Sequence, residues 1–307
     1  MEMGMVGLGR MGGNMVERLL GKGHRMIAFD TSPDLVAACE GKGAAGARSL
    51  EALVGAFEER PRVIWVMVPA GDPTKETIAR LAELGESGDI IIDGGNTNWK
   101  LALEDAGRVR ARGLHYMDAG TSGGIWGLEN GYCLMVGAED AVYEHCLPLL
   151  RDLAPPAGGL THTGPEGSGH FVKMVHNGVE YGLMQAYAEG FDIMKGSQSF
   201  PDLDLHAVAE CWRVGSVVRS WLLDLVAEGL GQDPELSRLR GYVEDTGEGR
   251  WTVEAAIEEA VPAPVITSSL FARFRSRVDD SFADRMLAMM RHEFGGHAVT
   301  PEKTPGS

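Results

Sequence analysis

The first forty residues constrain the fold more than any other stretch of the chain. An apolar run, "MGMVGL", leads into Gly7-x-Gly9-x-x-Gly12, and the helix-like "MGGNMVERLLGKG" follows, closed by Gly23 as a C-terminal cap. A second apolar run, "RMIAFD", ends on Asp30. Gly7 permits a tight turn, Gly9 lets backbone approach a pyrophosphate, and Gly12 lets the helix pack close to the strand. The first N–H groups of that helix are unpaired and sit at its positive end, which favours an anion. A glycine turn without a ligand is the competing reading. A strand before it, a helix after it and an acid closing the next strand favour a dinucleotide.

The same rhythm continues. "PDLVAACEGKG" reads as a helix with Pro33 in its first turn. "RVIWVMVP" and "DIIIDGG" lack polar alternation, as parallel strands covered on both faces should, and "GLHYMDAG" and "YCLMVG" read as two more strands. Repeated strand–helix units imply an α/β fold with a doubly wound, mostly parallel sheet of the Rossmann type. After about Gly164 only helical patterns follow, over His170–Lys195, Asp204–Gly229 and Trp251–Glu259. The expected division is a dinucleotide-binding domain over 1–164 and an all-helical substrate and oligomerisation domain over 165–290. The tail over 291–307 would reach a neighbouring subunit.

Composition narrows the function. At 307 residues and 44% hydrophobic, the chain can build two cores. A net charge of −16 argues against nucleic acid and anionic membranes, but not against a small anion held by a few arginines. Cys39, Cys133, Cys146 and Cys211 form no C-x-x-C pair and fit buried thiols in a reducing cytosol. The first strand starts almost at Met1, and the most apolar run is too short to span a bilayer. The expectation is a soluble cytoplasmic protein, with no metal site.

Asp30 bears on cofactor choice. A carboxylate there can accept from both ribose hydroxyls and would repel a 2′-phosphate, and Thr31-Ser32-Pro33 offers no arginine, so NAD is expected rather than NADP. An aspartate that caps a turn is the alternative.

"HFVKMVHNGVEY", His170 to Tyr181, places Lys173, His176, Asn177 and Glu180 at i, i+3, i+4 and i+7. On a helix these share an arc of about 100°, while Val172, Val175, Val179 and Leu183 fall on a different side, so the segment reads as a helix with one packed face and one polar face. A solvated polar face is the plain reading of such a stripe. "DGGN" ends a strand at the sheet edge where ligands bind, and "GTSGG", Gly120–Gly124, could grip a carboxylate through its N–H groups and Ser122. Both also read as ordinary turns. Arg273, Arg291 and His297 supply cations that could meet a phosphate dianion, or could be scattered surface charge.

Taken together, "GLGRMG", "IIDGGN", "TSGG", "KMVHNGVEY", "GRW", "FAR" and "RHEFGGH", in this order over nearly the whole chain, resemble the decarboxylating 6-phosphogluconate dehydrogenases in their short, single-copy form. The wider β-hydroxyacid dehydrogenases share the glycine loop and an "SGG" loop, but typically lack "DGGN" and the terminal "FGGH". The resemblance implies oxidative decarboxylation of 6-phosphogluconate to ribulose 5-phosphate with NAD. It implies that Lys173 is the general base at the C3 hydroxyl and later stabilises the enolate, and that Glu180 protonates C1. Lysine serves as a base only where its charged form is disfavoured, as in a semi-buried site beside a cation. The implied substrate ligands are Asn177, His176 and Asn96 for hydroxyls, Ser122, Gly123 and Gly124 for the carboxylate, and Tyr181, Arg273, Arg291 and His297 for the phosphate. The resemblance implies that Arg291 and His297 come from a neighbouring subunit. Implied cofactor contacts are Gly7, Leu8, Gly9, Arg10, Met11, Gly12, Asp30, Val68 and Asn96.

Two departures stand out. Long members carry Lys-Gly-Thr-Gly where this chain has "TGEG", so Thr246 replaces a lysine and Glu248 a threonine. Long members also duplicate the helical domain, so a single copy implies a homo-oligomer, dimer or tetramer, with shared active sites. The rivals are a β-hydroxyacid dehydrogenase that does not decarboxylate and a non-catalytic nucleotide sensor.

Overall fold

The computed structural model describes residues 1–295 and 298. The elements follow as β1 (Glu2–Val6), α1 (Arg10–Leu20), β2 (Arg25–Phe29), α2 (Pro33–Glu40), β3 (Ala45–Gly46), α3 (Leu50–Gly55), β4 (Val63–Val66), α4 (Asp72–Leu84), β5 (Ile90–Asp93), α5 (Trp99–Arg110), β6 (His115–Ser122), α6 (Gly127–Asn130), β7 (Cys133–Ala138), α7 (Asp140–Leu153) and β8 (Leu160–Gly164). Helices then follow: α8 (Ser168–Lys195), α9 (Leu205–Arg213), α10 (Trp221–Gln232), α11 (Glu248–Glu258), α12 (Pro264–Arg275) and α13 (Phe282–Gly295). The short β3 and β8 and the helices α12 and α13 lay outside the sequence reading.

The eight strands form one sheet in the order β3-β2-β1-β4-β5-β6-β7-β8. The reversal of order between β1 and β4 is the switch point where doubly wound sheets bind ligands. Neighbours from β3 to β6 are parallel, β7 is antiparallel to β6, and β8 is parallel to β7. Strand side chains alternate between faces. Ile90 and Ile92 join Met3, Met5 and Trp65 in one buried cluster, while Ile91 joins Val6, Ile64 and Val66 in another. Each run is therefore apolar throughout because both faces are covered. Gly23 closes α1 at φ +83°, with His24 N–H donating to Leu19 O and Gly23 N–H to Leu20 O. That pairing satisfies carbonyls the helix end leaves orphaned, as the sequence led one to expect.

The chain divides into two compact units, Met1–Gly178 and Val179 onward, and α8 runs continuously through the division. In the second unit Phe191, Ala209, Leu223, Ala227 and Leu230 form a small core. The helix expected over Asp204–Gly229 is two helices. The first stops at Arg213, before Val214 and Gly215 (φ +75°). The second restarts at Trp221, where Ser220 Oγ accepts from Leu223 N–H. Among the described residues no strand follows β8, and no helix is long and apolar enough to cross a membrane. Helix α13 continues to Gly295, past the expected start of a tail at Arg291.

Candidate active site

The loop after β1 sits at the switch point. A Cβ on Gly7 (φ +95°) would fall 2.3 Å from Met67 O and 3.0 Å from the side chain of Val68, which lines the same turn. One on Gly12 would fall 2.0 Å from Gly7 O, so strand and helix touch only because both are glycine. Gly9 differs. Its φ of −58° suits any residue, and a Cβ there would meet nothing within 4 Å. The protein does not require glycine at this position, and the backbone at the head of α1 is left open to an incoming group. The site thus fits a dinucleotide pyrophosphate. Leu8 has its side chain in the core, Met11 packs against that core, and Arg10 is exposed.

Asp30 has two backbone partners. Its Oδ2 accepts from Leu8 N–H at 2.7 Å and its Oδ1 from Ser32 N–H at 2.8 Å. The carboxylate therefore ties the glycine loop to the turn before α2. The turn-capping reading of Asp30 is correct as far as it goes, and these bonds also hold the charge beside the loop.

Asn96, at φ +52°, is also engaged. Its Oδ1 accepts from Thr121 N–H at 2.9 Å and its Nδ2 donates to Thr121 O at 3.1 Å. This pairing joins the "DGGN" turn to the end of β6, where Ser122, Gly123 (φ +122°) and Gly124 (φ +53°) follow. The two loops singled out in the sequence are adjacent in the fold.

Helix α8 packs on β6 through small residues. A Cβ on Gly120 would lie 2.4 Å from Lys173 Cβ, and one on Gly169 would lie 2.4 Å from Met135 O. Asp118 fixes the helix start, accepting from Gly167 N–H at 2.5 Å and His170 N–H at 2.6 Å. Lys173 is consequently buried at 5% exposure. Its Nζ donates to Asn177 Oδ1 at 2.7 Å and lies 3.4 Å from His176 Nδ1, which is 3.0 Å from the same oxygen. The polar stripe is thus no solvated face at its N-terminal end. Glu180, partly buried, follows on the same helix. The apolar side expected to pack does not: Val172, Val179 and Leu183 are exposed, and it is the Lys173 side that meets β6 through Gly120.

In the second unit, Tyr181 is buried and the Arg273 guanidinium lies 3.5 Å over its ring. Arg273 also donates to Glu244 O at 2.8 Å, and Thr246 N–H donates to Tyr181 OH at 3.4 Å. Thr246 Oγ1 makes a short hydrogen bond to Glu248. Tyr181, Arg273 and the "TGEG" segment therefore come together. Nearby, Arg250 and Arg277 pair with Asp245 at 2.5 and 2.6 Å and hold its carboxyl down at about 2, the bond from Arg250 being the larger cause. Arg291 is exposed on α13, and among the described residues no hydrogen bond or ion pair joins it to Tyr181 or Arg273. His297 lies outside the described residues.

Sequence reasoning assigned no role to two buried residues, His170 and Asp93, although they open the motifs "HFVKMVHN" and "DGGN". Their contact spans the chain from β5 to α8, and no local spacing announces it.

An open backbone cradle at a switch point, flanked by a helix that buries an amine beside an amide, is the framework of a dinucleotide-dependent dehydrogenase. Comparison with known proteins narrows the class. Residues 2–164 match the family model for the NAD binding domain of 6-phosphogluconate dehydrogenase, and residues 169–299 match that for the 6-phosphogluconate dehydrogenase C-terminal domain. The chain belongs to the 6-phosphogluconate dehydrogenase family. It is 43% identical over 300 residues to the NAD(+)-dependent, decarboxylating 6-phosphogluconate dehydrogenase of Haloferax volcanii, covering 97% of this chain and 98% of that one. The enzyme of the same description from Bacillus subtilis is 33% identical over 300 residues, 94% of this chain but 63% of that one. The solved Plasmodium falciparum 6-phosphogluconate dehydrogenase superposes with a TM-score of 0.83 at 26% identity, over 99% of this chain and 67% of that one.

Proposed function

We propose that this chain oxidises 6-phospho-D-gluconate at C3 with NAD and releases CO2 to give D-ribulose 5-phosphate. The observation that carries the reading is the buried Lys173 amine held on Asn177, on a helix packed against Gly120 at the head of the "TSGG" loop. Bound NAD supplies the hydride acceptor, with Gly7, Leu8, Gly9, Arg10, Met11, Gly12, Asp30, Val68 and Asn96 to hold it. Lys173 takes the proton of the C3 hydroxyl. The resulting ammonium is buried, and it stabilises the enolate left by CO2 more strongly than a solvated cation would. Glu180 gives a proton to C1. His176, Asn177 and Asn96 orient hydroxyls, and Ser122, Gly123 and Gly124 hold the C1 carboxylate. Tyr181 and Arg273 receive the phosphate, joined by Arg291 and His297 of a neighbouring copy. The loss of a lysine at Thr246 leaves these cations as the phosphate ligands.

The test is NADH formation with release of CO2 from 6-phosphogluconate. Glu180→Gln should still reduce NAD in the first turnover but form ribulose 5-phosphate on the order of a hundredfold more slowly, the lower range for a general acid. Product formation at the wild-type rate across pH would place the acid elsewhere.

The same reading takes the chain to be a homo-oligomer in a reducing cytoplasm; Cys39 and Cys146 are the buried thiols expected, but Cys133 is half-buried and Cys211, on the outside of α9, is exposed. An apolar cavity of about 520 Å³ on the second unit, lined by Met184, Phe191, Leu205, Leu225, Val226 and Leu230, supports association. Light scattering should give a dimer or a tetramer. A monomer at full activity would remove the shared site.

A further inference from the structure

Two residues that the mechanism leaves idle bridge two of its segments. His170 stands on α8 three residues before Lys173, and Asp93 ends β5 three residues before Asn96. Both side chains are fully buried, and His170 Nε2 lies 3.2 Å from Asp93 Oδ2. That same oxygen accepts from Tyr116 OH at 3.0 Å, while Asp93 Oδ1 accepts from Gly95 N–H at 2.9 Å and from Thr97 Oγ1 at 3.4 Å. Burial disfavours a charged imidazole, but the Asp93 and Asp118 carboxylates outweigh it and raise His170 above the ordinary histidine value. Burial likewise opposes the Asp93 carboxylate, and His170 together with the hydrogen bonds from Gly95 and Tyr116 outweighs it, leaving it below the usual range.

Stability is a weak reason for such a pair. Two buried ions lose their hydration, and well-packed apolar replacements are often as stable or more so. The contact does, however, join two segments far apart in the chain, with His170 Nε2 and Asp93 Oδ2 meeting at 3.2 Å between α8 and the end of β5. Here the pair pins the helix start that carries Lys173 to the turn that carries Asn96, which itself grips Thr121 beside Ser122. We propose that Asp93 and His170 form a positioning pair that fixes Lys173 against the Asn96 turn, and so sets the base against the substrate hydroxyl. This inference rests on the functional reading above.

Asp93→Asn keeps shape and removes the charge, and His170→Gln keeps a polar group on the helix. Each is assayed beside wild type with 6-phosphogluconate and NAD. In each variant kcat should fall on the order of a hundredfold, the size of effect that a displacement of about 1 Å produces. The KM for 6-phosphogluconate and the Kd for NAD should stay within about threefold, since the loss falls on the transition state. The primary isotope effect with C3-deuterated substrate should rise, because the hydride step becomes limiting. The double variant should lose little more than either single one, since both remove one contact. A purely structural role would lower the amount of folded enzyme and leave the isotope effect unchanged. That result, wild-type kcat in both variants, or loss of NAD binding in both overturns the proposal. A wild type that binds NAD but does not turn over 6-phosphogluconate overturns the functional reading, and this role with it.

Discussion

Lys173→Met is expected to abolish turnover and leave NAD binding largely intact. The side chain is 5% exposed, so methionine fills nearly the same volume without a titratable amine. Two contributions disappear together. General-base catalysis is worth about 10²–10⁴-fold. Electrostatic stabilisation of a developing oxyanion is worth about 10²–10³-fold for a single donor. A loss of about 10⁴-fold in kcat is therefore the expected result. NAD binding should survive because Lys173 packs on β6 through Gly120, whereas the glycine loop follows β1. Three strand spacings separate the two, roughly 14 Å across the sheet. Steady-state kinetics with calorimetric NAD titration checks both halves. A variant that keeps more than a few per cent of the wild-type rate would remove the base assignment.

Cofactor preference is the second large effect. NAD should exceed NADP by about a hundredfold or more in kcat/KM, because a close like-charge contact costs several kcal/mol and each 1.4 kcal/mol is about tenfold. The fold sharpens this expectation. Leu8 and Ser32 N–H groups hold both oxygens of Asp30, so the charge cannot swing away from an incoming 2′-phosphate without breaking two hydrogen bonds. Asp30→Asn with Thr31→Arg should reverse or erase the preference by removing the repulsion and adding a cation. Asparagine has one acceptor oxygen where aspartate has two, so one of those N–H groups loses its partner. The double variant should therefore lose activity with NAD as well, and the ratio of the two cofactors is the quantity to read. Equal use of NADP and NAD by the wild-type protein would confine Asp30 to its turn-capping role.

Much of the site was legible because it is local. Lys173, His176, Asn177 and Glu180 share a helix face by spacing alone, and α8 forms that helix. The glycine loop was legible for the same reason, since strand, turn and helix are consecutive. The direction of β7 was not read, because apolar runs carry no sign of strand polarity. The clue lay in the short Gly123–Tyr132 connection, which suits an antiparallel neighbour better than a parallel crossover. The break in Asp204–Gly229 was marked by Gly215 and the cap Ser220, but the apolar spacing on either side hid it.

By itself, the sequence determined the main strands of the sheet, the doubly wound class, the glycine cradle and the reactive helix face, since each depends on residues a few positions apart. Tertiary structure alone decided what those residues touch. It buried Lys173 on Gly120, paired Asn96 with Thr121, tied Asp30 to Leu8 and set His170 against Asp93. These contacts join residues 22 to 77 positions apart in the chain. Periodicity sets which face a side chain takes, but only the packing of helix on sheet brings two faces together.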